Sequence, residues 1–129
     1  MRRTLLFLPG NNPGNLQSGA VFGADGIILD LEDSVSPAEK DAARLLVASA
    51  LMSVDYAGVE RAVRINTLAT GGEADIAAVV PCCPDAVMLP KTESIDDIRA
   101  CEALLEKAEA ACGATKKTLI CLLYTSDAA

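Results

Sequence analysis

Short apolar runs alternate along the chain with longer stretches of mixed polarity. The runs lie at Thr4 to Leu8, Gly26 to Leu31, Arg61 to Ile65, Ala86 to Leu89 and Thr118 to Leu123, and Leu, Ile and Val dominate them. They lack an in/out alternation, which predicts strands buried on both faces. Helices fit between them. The clearest opens at Ser36-Pro37-Ala38-Glu39, where Ser36 can cap, Pro37 can take the first helical position and Glu39 can close a capping box. Leu45, Leu46, Ala50 and Leu51 are its expected buried stripe. A second begins at Ser94 with Asp96 and Asp97 in its first turn, carries Ile98, Cys101, Leu104, Leu105 and Ala108 at helical spacing, and stops at Gly113. Weaker helical patterns cover Pro13 to Phe22 and Glu73 to Val80.

Strand and helix in alternation predict an α/β fold of right-handed βαβ units around a parallel sheet. For an open nucleotide-binding sheet a Gly-rich phosphate turn should follow the first strand. Pro9-Gly10-Asn11-Asn12-Pro13-Gly14 fits neither the dinucleotide nor the P-loop spacing, and Pro13 removes an N–H that a phosphate nest would use. A (β/α)8 barrel instead places polar residues at the carboxyl ends of its strands. Asn11 and Asn12 follow the first strand, Asp30, Glu32 and Asp33 the second, Arg64 and Asn66 flank the end of the third, and Lys91 and Thr92 follow the fourth. The prediction is a partial (β/α)8 TIM barrel of about five parallel strands and four helices. Arg64 stands out because it lies in the apolar strand Ala62-Val63-Arg64-Ile65, where a guanidinium needs a carboxylate or an anionic ligand to offset its desolvation. A buried ion pair with Glu32 or Asp30 and a ligand contact both fit, and both can hold together.

Composition narrows the chemistry. The chain has 129 residues, one domain's worth, with Lys+Arg 11 against Asp+Glu 18 and a formal charge of -7. Diffuse attraction to nucleic acid or anionic lipid is not expected. With no His, imidazole bases, His triads and His-ligated metals are excluded; with no Trp and 3% aromatic residues, so are stacking platforms for single strands. Five Cys without C-x-x-C spacing give no disulfide or zinc framework. The apolar run ending at Leu8 is broken at once by Pro9-Gly10, too short for a signal segment or a span, so the expected location is the cytoplasm.

Several motifs occur together and in order: Leu6-Phe7-Leu8-Pro9-Gly10-Asn11-Asn12-Pro13, Gly23-Ala24-Asp25, Leu29-Asp30-Leu31-Glu32-Asp33-Ser34-Val35, Glu39-Lys40-Asp41-Ala42-Ala43-Arg44, Val63-Arg64-Ile65-Asn66 and Leu89-Pro90-Lys91-Thr92-Glu93. In these the chain resembles citrate lyase beta chains and, more broadly, the acyl-thioester lyase branch of the HpcH/HpaI aldolase and citrate lyase family. The resemblance implies a (β/α)8 barrel, Mg2+, and cleavage of a carbon–carbon bond in a 3-hydroxy-acyl thioester. For citrate lyase this is conversion of citryl-carrier protein to an acetyl thioester and oxaloacetate. The thioester on acyl carrier protein or CoA, sister citrate lyase subunits and an oligomer at full length are the partners it implies. Citramalyl-CoA or malyl-CoA lyase chemistry is the alternative within the family, and a non-catalytic anion-binding α/β module the alternative outside it.

Carried over residue by residue, the resemblance makes Arg64 the substrate-binding arginine, with Lys91 and Asn11 at the same rim. It makes Glu32 and Asp33 the catalytic acids, one of which orients Arg64 or a metal-bound water. Lys91 also reads as a solvated surface lysine. Residues 1–123 are expected to be the amino-terminal part of the barrel. After Leu123 the resemblance calls for a magnesium-ligating acid where Tyr124 stands, and a second such acid beyond, so no metal ligand is assigned. Residues 124–129 follow neither a helical nor the family pattern and are expected to be a truncation artefact, with the chain inactive as a lyase.

Overall fold

Five strands alternate with four helices in the computed structural model, which describes residues 5–19, 23–56, 58–92, 94–113 and 117–122. In chain order they are β1 (Leu5–Pro9), α1 (Pro13–Ser18), β2 (Gly26–Asp30), α2 (Lys40–Ser53), β3 (Glu60–Arg64), α3 (Gly72–Val79), β4 (Ala86–Leu89), α4 (Ile95–Cys112) and β5 (Leu119–Leu122). Every strand pair is parallel, and the spatial order is the chain order, β1-β2-β3-β4-β5. Right-handed crossovers between sequential neighbours put all the helices on one face of the sheet. That is the wall of a barrel, and the fold is part of a TIM barrel.

The sheet therefore has two unlike faces. Toward the helices, Ile27, Leu29, Val63, Val87 and Leu89 pack with Val47, Ile76 and Leu105 in the main core. Toward the barrel axis, Ile28, Ala62, Ala86 and Met88 form a smaller cluster with Cys121 against it. The expected burial on both faces holds in β2 and β4 and fails in the outer strands. Leu5 and Phe7 of β1 are 43% and 41% exposed, and Leu119 of β5 is 55% exposed. The register puts all three on the axis side, where the described residues supply no opposing layer.

Element ends shift by a residue or so from the apolar runs. β1 extends to Pro9, β2 stops at Asp30, and β3 covers 60–64 while Ile65 still donates its N–H to the Met88 carbonyl at 3.1 Å. Thr4, Phe22 and Leu123 lie outside the described residues. Larger differences concern α2. Pro37–Glu39 forms a 3-10 turn, the Ser36 side chain makes no cap bond, and Glu39 accepts instead from the Asn11 amide. The helix buries Ala43, Val47, Ala50 and Leu51, whereas Leu45 is 71% exposed. Spacings of four, three and one residues from Ala43 define a single face, and Leu45, two residues on, falls near the opposite side. Leu46, Ala50 and Leu51 of the expected stripe pack against the core, and Ala43 and Val47 complete the face in place of Leu45.

The second expected helix matches α4: the Ser94 N–H donates to the Asp97 carboxylate at 3.3 Å, and Gly113 ends the helix in a left-handed conformation, φ 69°. α3 begins at Gly72 and runs into a 3-10 turn at Val80–Cys82. Among the described residues no helix is long and apolar enough to cross a membrane.

Candidate functional site

Asp30 and Arg64 are the last residues of β2 and β3 and are partners in the sheet register. Both side chains stand on the axis side at the carboxyl end of the strands. Arg64 donates from Nε to Asp30 Oδ1 at 2.8 Å and from Nη2 to Oδ2 at 2.7 Å, a two-point fork. The remaining capacity of the carboxylate is filled by its own loop: Oδ1 accepts from the Glu32 N–H at 2.9 Å, and Oδ2 from the Ser34 N–H at 3.0 Å and hydroxyl at 2.7 Å. Burial by itself raises the Asp30 pKa. The bonds from Arg64, Ser34 and the two backbone N–H groups outweigh it and lower the value to about 2. The Arg64 pKa is raised, chiefly by its hydrogen bonds to Asp30, with further attraction from Asp30, Glu32 and Asp33 outweighing its burial.

Glu32 links two cations. Its Oε1 lies 3.9 Å from Arg64 Nε and its Oε2 3.3 Å from Lys91 Nζ. Lys91 follows Pro90 with φ 51°, a left-handed conformation uncommon for a residue with a side chain, and its side chain is 72% exposed. Asp33 is exposed and acts on Arg64 only through space. Asn11 bonds to Glu39. Of the five residues expected at the site, Arg64, Glu32 and Lys91 form one chain of contacts, whereas Asn11 is engaged elsewhere and Asp33 faces solvent. The acid that grips Arg64 is Asp30, with Glu32 beside it. Only Asp30 is in register with Arg64, which a list of strand-end acids does not reveal.

A polar layer behind the rim escaped the sequence reading. Lys40 Nζ donates to the Leu31 carbonyl at 3.1 Å, the Glu32 carbonyl at 2.8 Å and Asn66 Oδ1 at 2.6 Å. The Asn66 amide donates to the Leu31 carbonyl at 3.0 Å and to the buried Asp75 carboxylate at 2.7 Å, and Arg44 Nε reaches the same carboxylate at 2.8 Å. Lys40 and Arg44, four residues apart on α2, share a helix face, and Asp75 lies among the apolar residues of α3; that combination is the signal in the sequence. The layer holds the β2–α2 loop by its carbonyls and leaves the Asp30 and Glu32 carboxylates directed at Arg64.

The pattern of the HpcH/HpaI aldolase/citrate lyase family matches residues 3–127. The chain belongs to this family. Among its relatives in that family, citrate lyase subunit beta of Leuconostoc mesenteroides subsp. cremoris is 48% identical over 110 residues, which is 84% of this chain and 36% of that protein. A (3S)-malyl-CoA thioesterase of Cereibacter sphaeroides is 38% identical over 104 residues, 80% of this chain and 36% of that one. A citrate lyase beta subunit from M. tuberculosis, solved with oxaloacetate and magnesium, superposes with a TM-score of 0.62 at 30% identity, covering 92% of this chain and 55% of that chain. The chain thus spans little more than a third of the length of these two curated relatives.

Whether the residues present suit a magnesium ion follows from the donor set. Among the described residues no three His, Cys, Asp or Glu side chains converge as a metal site. Asp30 spends both oxygens on Arg64 and its own loop, which leaves Glu32 and Asp33, too few for a cation that wants several oxygens. The described part of this chain does not fit the ion by itself. Tyr124 lies outside the described residues.

Proposed function

We propose that this chain supplies the oxo-acid-binding rim of a carbon–carbon lyase of citrate lyase beta type, acting on a citryl thioester to give oxaloacetate and an acetyl thioester. The observation that carries the reading is the state of Arg64. Asp30 takes the Nε–Nη2 edge of its fork, and among the described residues no side chain is bonded to Nη1, so the planar group is fixed and still has donors for a second carboxylate. In the reaction the hydroxyl of the citryl group loses its proton, the bond between the carbinol carbon and the carbon next to the thioester breaks, and its electron pair passes to the thioester enolate. The carbinol carbon becomes the ketone of oxaloacetate, and the enolate takes up a proton. Arg64 holds the oxo-acid portion, Glu32 keeps Arg64 and Lys91 at one rim, and Lys91 and Asp33 set the local charge. Magnesium is proposed for the family chemistry, with no ligand assigned in this chain. The thioester rides on an acyl carrier protein alongside sister subunits, and the relationship to malyl-CoA thioesterases supports a CoA thioester as the second reading.

Calorimetric titration of the 129-residue chain with oxaloacetate tests the binding step. Binding should be indifferent to Mg2+ and should weaken by about tenfold or more in Arg64→Lys, which cannot keep both forks. Equal affinity in Arg64→Lys would overturn the reading. The same chain should release no oxaloacetate from a citryl thioester with Mg2+ present, and measurable release would show that it assembles the metal site unaided.

A further inference from the structure

Arg64 is gripped in its plane by Asp30, but a guanidinium held by one carboxylate can still tilt about the line joining the two groups. What stops the tilt lies two strands away, on β1. The Arg64 side chain crosses β2, and its Cζ lies 4.8 Å from the centroid of the Phe7 ring on β1. The register pairs Phe7 with Ile28 and Ile28 with Ala62, which puts the ring on the axis face that also carries Asp30 and Arg64. The distance is that of a cation resting on an aromatic face. Phe7 is not part of the core: β1 is anchored by Leu8, 3% exposed, and by Leu6 against the helix layer, while Phe7 remains 41% exposed. The ring shares its exposure on the open axis face with Leu5, and what sets Phe7 apart is the guanidinium lying over it.

We propose that Phe7 is a positioning residue that sets the plane of the Arg64 guanidinium, so that its free Nη1 side is presented to the carboxylate of a 2-oxo dicarboxylic acid entering from the barrel axis. The inference rests on the reading of Arg64 as the anion-binding residue. Asp30 fixes the edge of the guanidinium and Phe7 its face, and together they arrange the group before ligand arrives, which lowers the ordering cost of binding.

The test uses Phe7→Leu, which keeps an apolar side chain and removes the ring, and Phe7→Tyr, which keeps the ring. In nitrogen-15 NMR spectra of the 129-residue chain, the Arg64 Nε–H resonance, assigned by its loss in Arg64→Lys, should carry an upfield ring-current shift in the wild type and Phe7→Tyr and lose it in Phe7→Leu. Oxaloacetate affinity should fall about three- to fivefold in Phe7→Leu and be restored in Phe7→Tyr. Leu5→Ala, on the same strand face with nearly equal exposure, should leave both readouts unchanged. Binding that Arg64→Lys weakens and Phe7→Leu leaves unaltered overturns the role of Phe7 alone. Absence of oxaloacetate binding in the wild-type chain overturns the reading of Arg64 and, with it, the positioning role.

Discussion

Asp30 concentrates at one residue the balance between burial and partnering. Its carboxyl pKa falls from 3.8 to about 2 on folding, because the bonds to the charged form outweigh the desolvation that pushes the other way. A folded value below the unfolded one means stabilisation that is fully present above about pH 4 and is lost as the pH falls through about 2. The shift corresponds to about 2 kcal/mol at neutral pH. Urea unfolding of the wild type minus that of Asp30→Asn should therefore change between about pH 4 and pH 2 and be flat above. At neutral pH the variant should lose about 3 kcal/mol, since Arg64 would keep its buried position with its bonded carboxylate gone and only Glu32, 3.9 Å away, as a close counter-charge. A flat difference across the acid range would show that Asp30 carries no such linkage. The close approach of Gly10 belongs to the same place: its N–H bonds the Asp30 carbonyl at 2.8 Å, and a Cβ there would come within 2.5 Å of that oxygen. This glycine serves strand-end packing and not a phosphate nest.

Between elements, the rim is held from behind by α2 and α3. Lys40 bonds two successive carbonyls of the β2–α2 loop, and Asn66, Asp75 and Arg44 complete the layer. Replacing Lys40 by Met keeps the length of the side chain and strands the Glu32 carbonyl and the Asn66 oxygen, while the Leu31 carbonyl keeps the Asn66 amide. Thermal unfolding should register a loss of about 1–3 kcal/mol. Faster hydrogen exchange at the Glu32 and Ser34 amides would show that the loop, and not α2 itself, has loosened. Unchanged protection at both amides would contradict this assignment. α2 also shows how an element's presence can be plain while its start and rotation are not: the sequence reads as a helix from Ser36, the helix forms at Lys40–Ser53, and burial chose Ala43 and Val47 over Leu45. Leu46, Ala50 and Leu51 of the expected stripe do pack on the core, and only Leu45 is turned out.

At the scale of the whole molecule, the described residues form a parallel wall covered by helices on one face and open on the other. Helices cover one face, while Leu5, Phe7 and Leu119 stand exposed on the other, at β1 and β5, the two edges among the described strands. Apolar exposure of this kind on a sheet face favours association and dye binding. The chain should enhance the fluorescence of an anilinonaphthalene sulfonate dye in its folded state, and the pair Leu5→Thr with Leu119→Thr should reduce that signal without lowering the unfolding midpoint appreciably. An unchanged signal in the double variant would place the apolar surface elsewhere.

The sequence by itself determined the order of strands and helices, the parallel sheet and the rim at which the polar residues gather, because these follow from local periodicity and from the handedness of βαβ connections. It also singled out Arg64, since a guanidinium inside an apolar strand requires a partner whatever the fold. The tertiary structure decided which acid that partner is, by bringing Asp30 into register with Arg64 across the sheet while Asp33 turned to solvent. It alone brought Phe7 beneath the guanidinium and Lys40 behind the loop, contacts between residues 57 and 26 positions apart in the chain. Such contacts depend on strand register and helix rotation, which are fixed by packing across the sheet and leave no periodic trace along the chain.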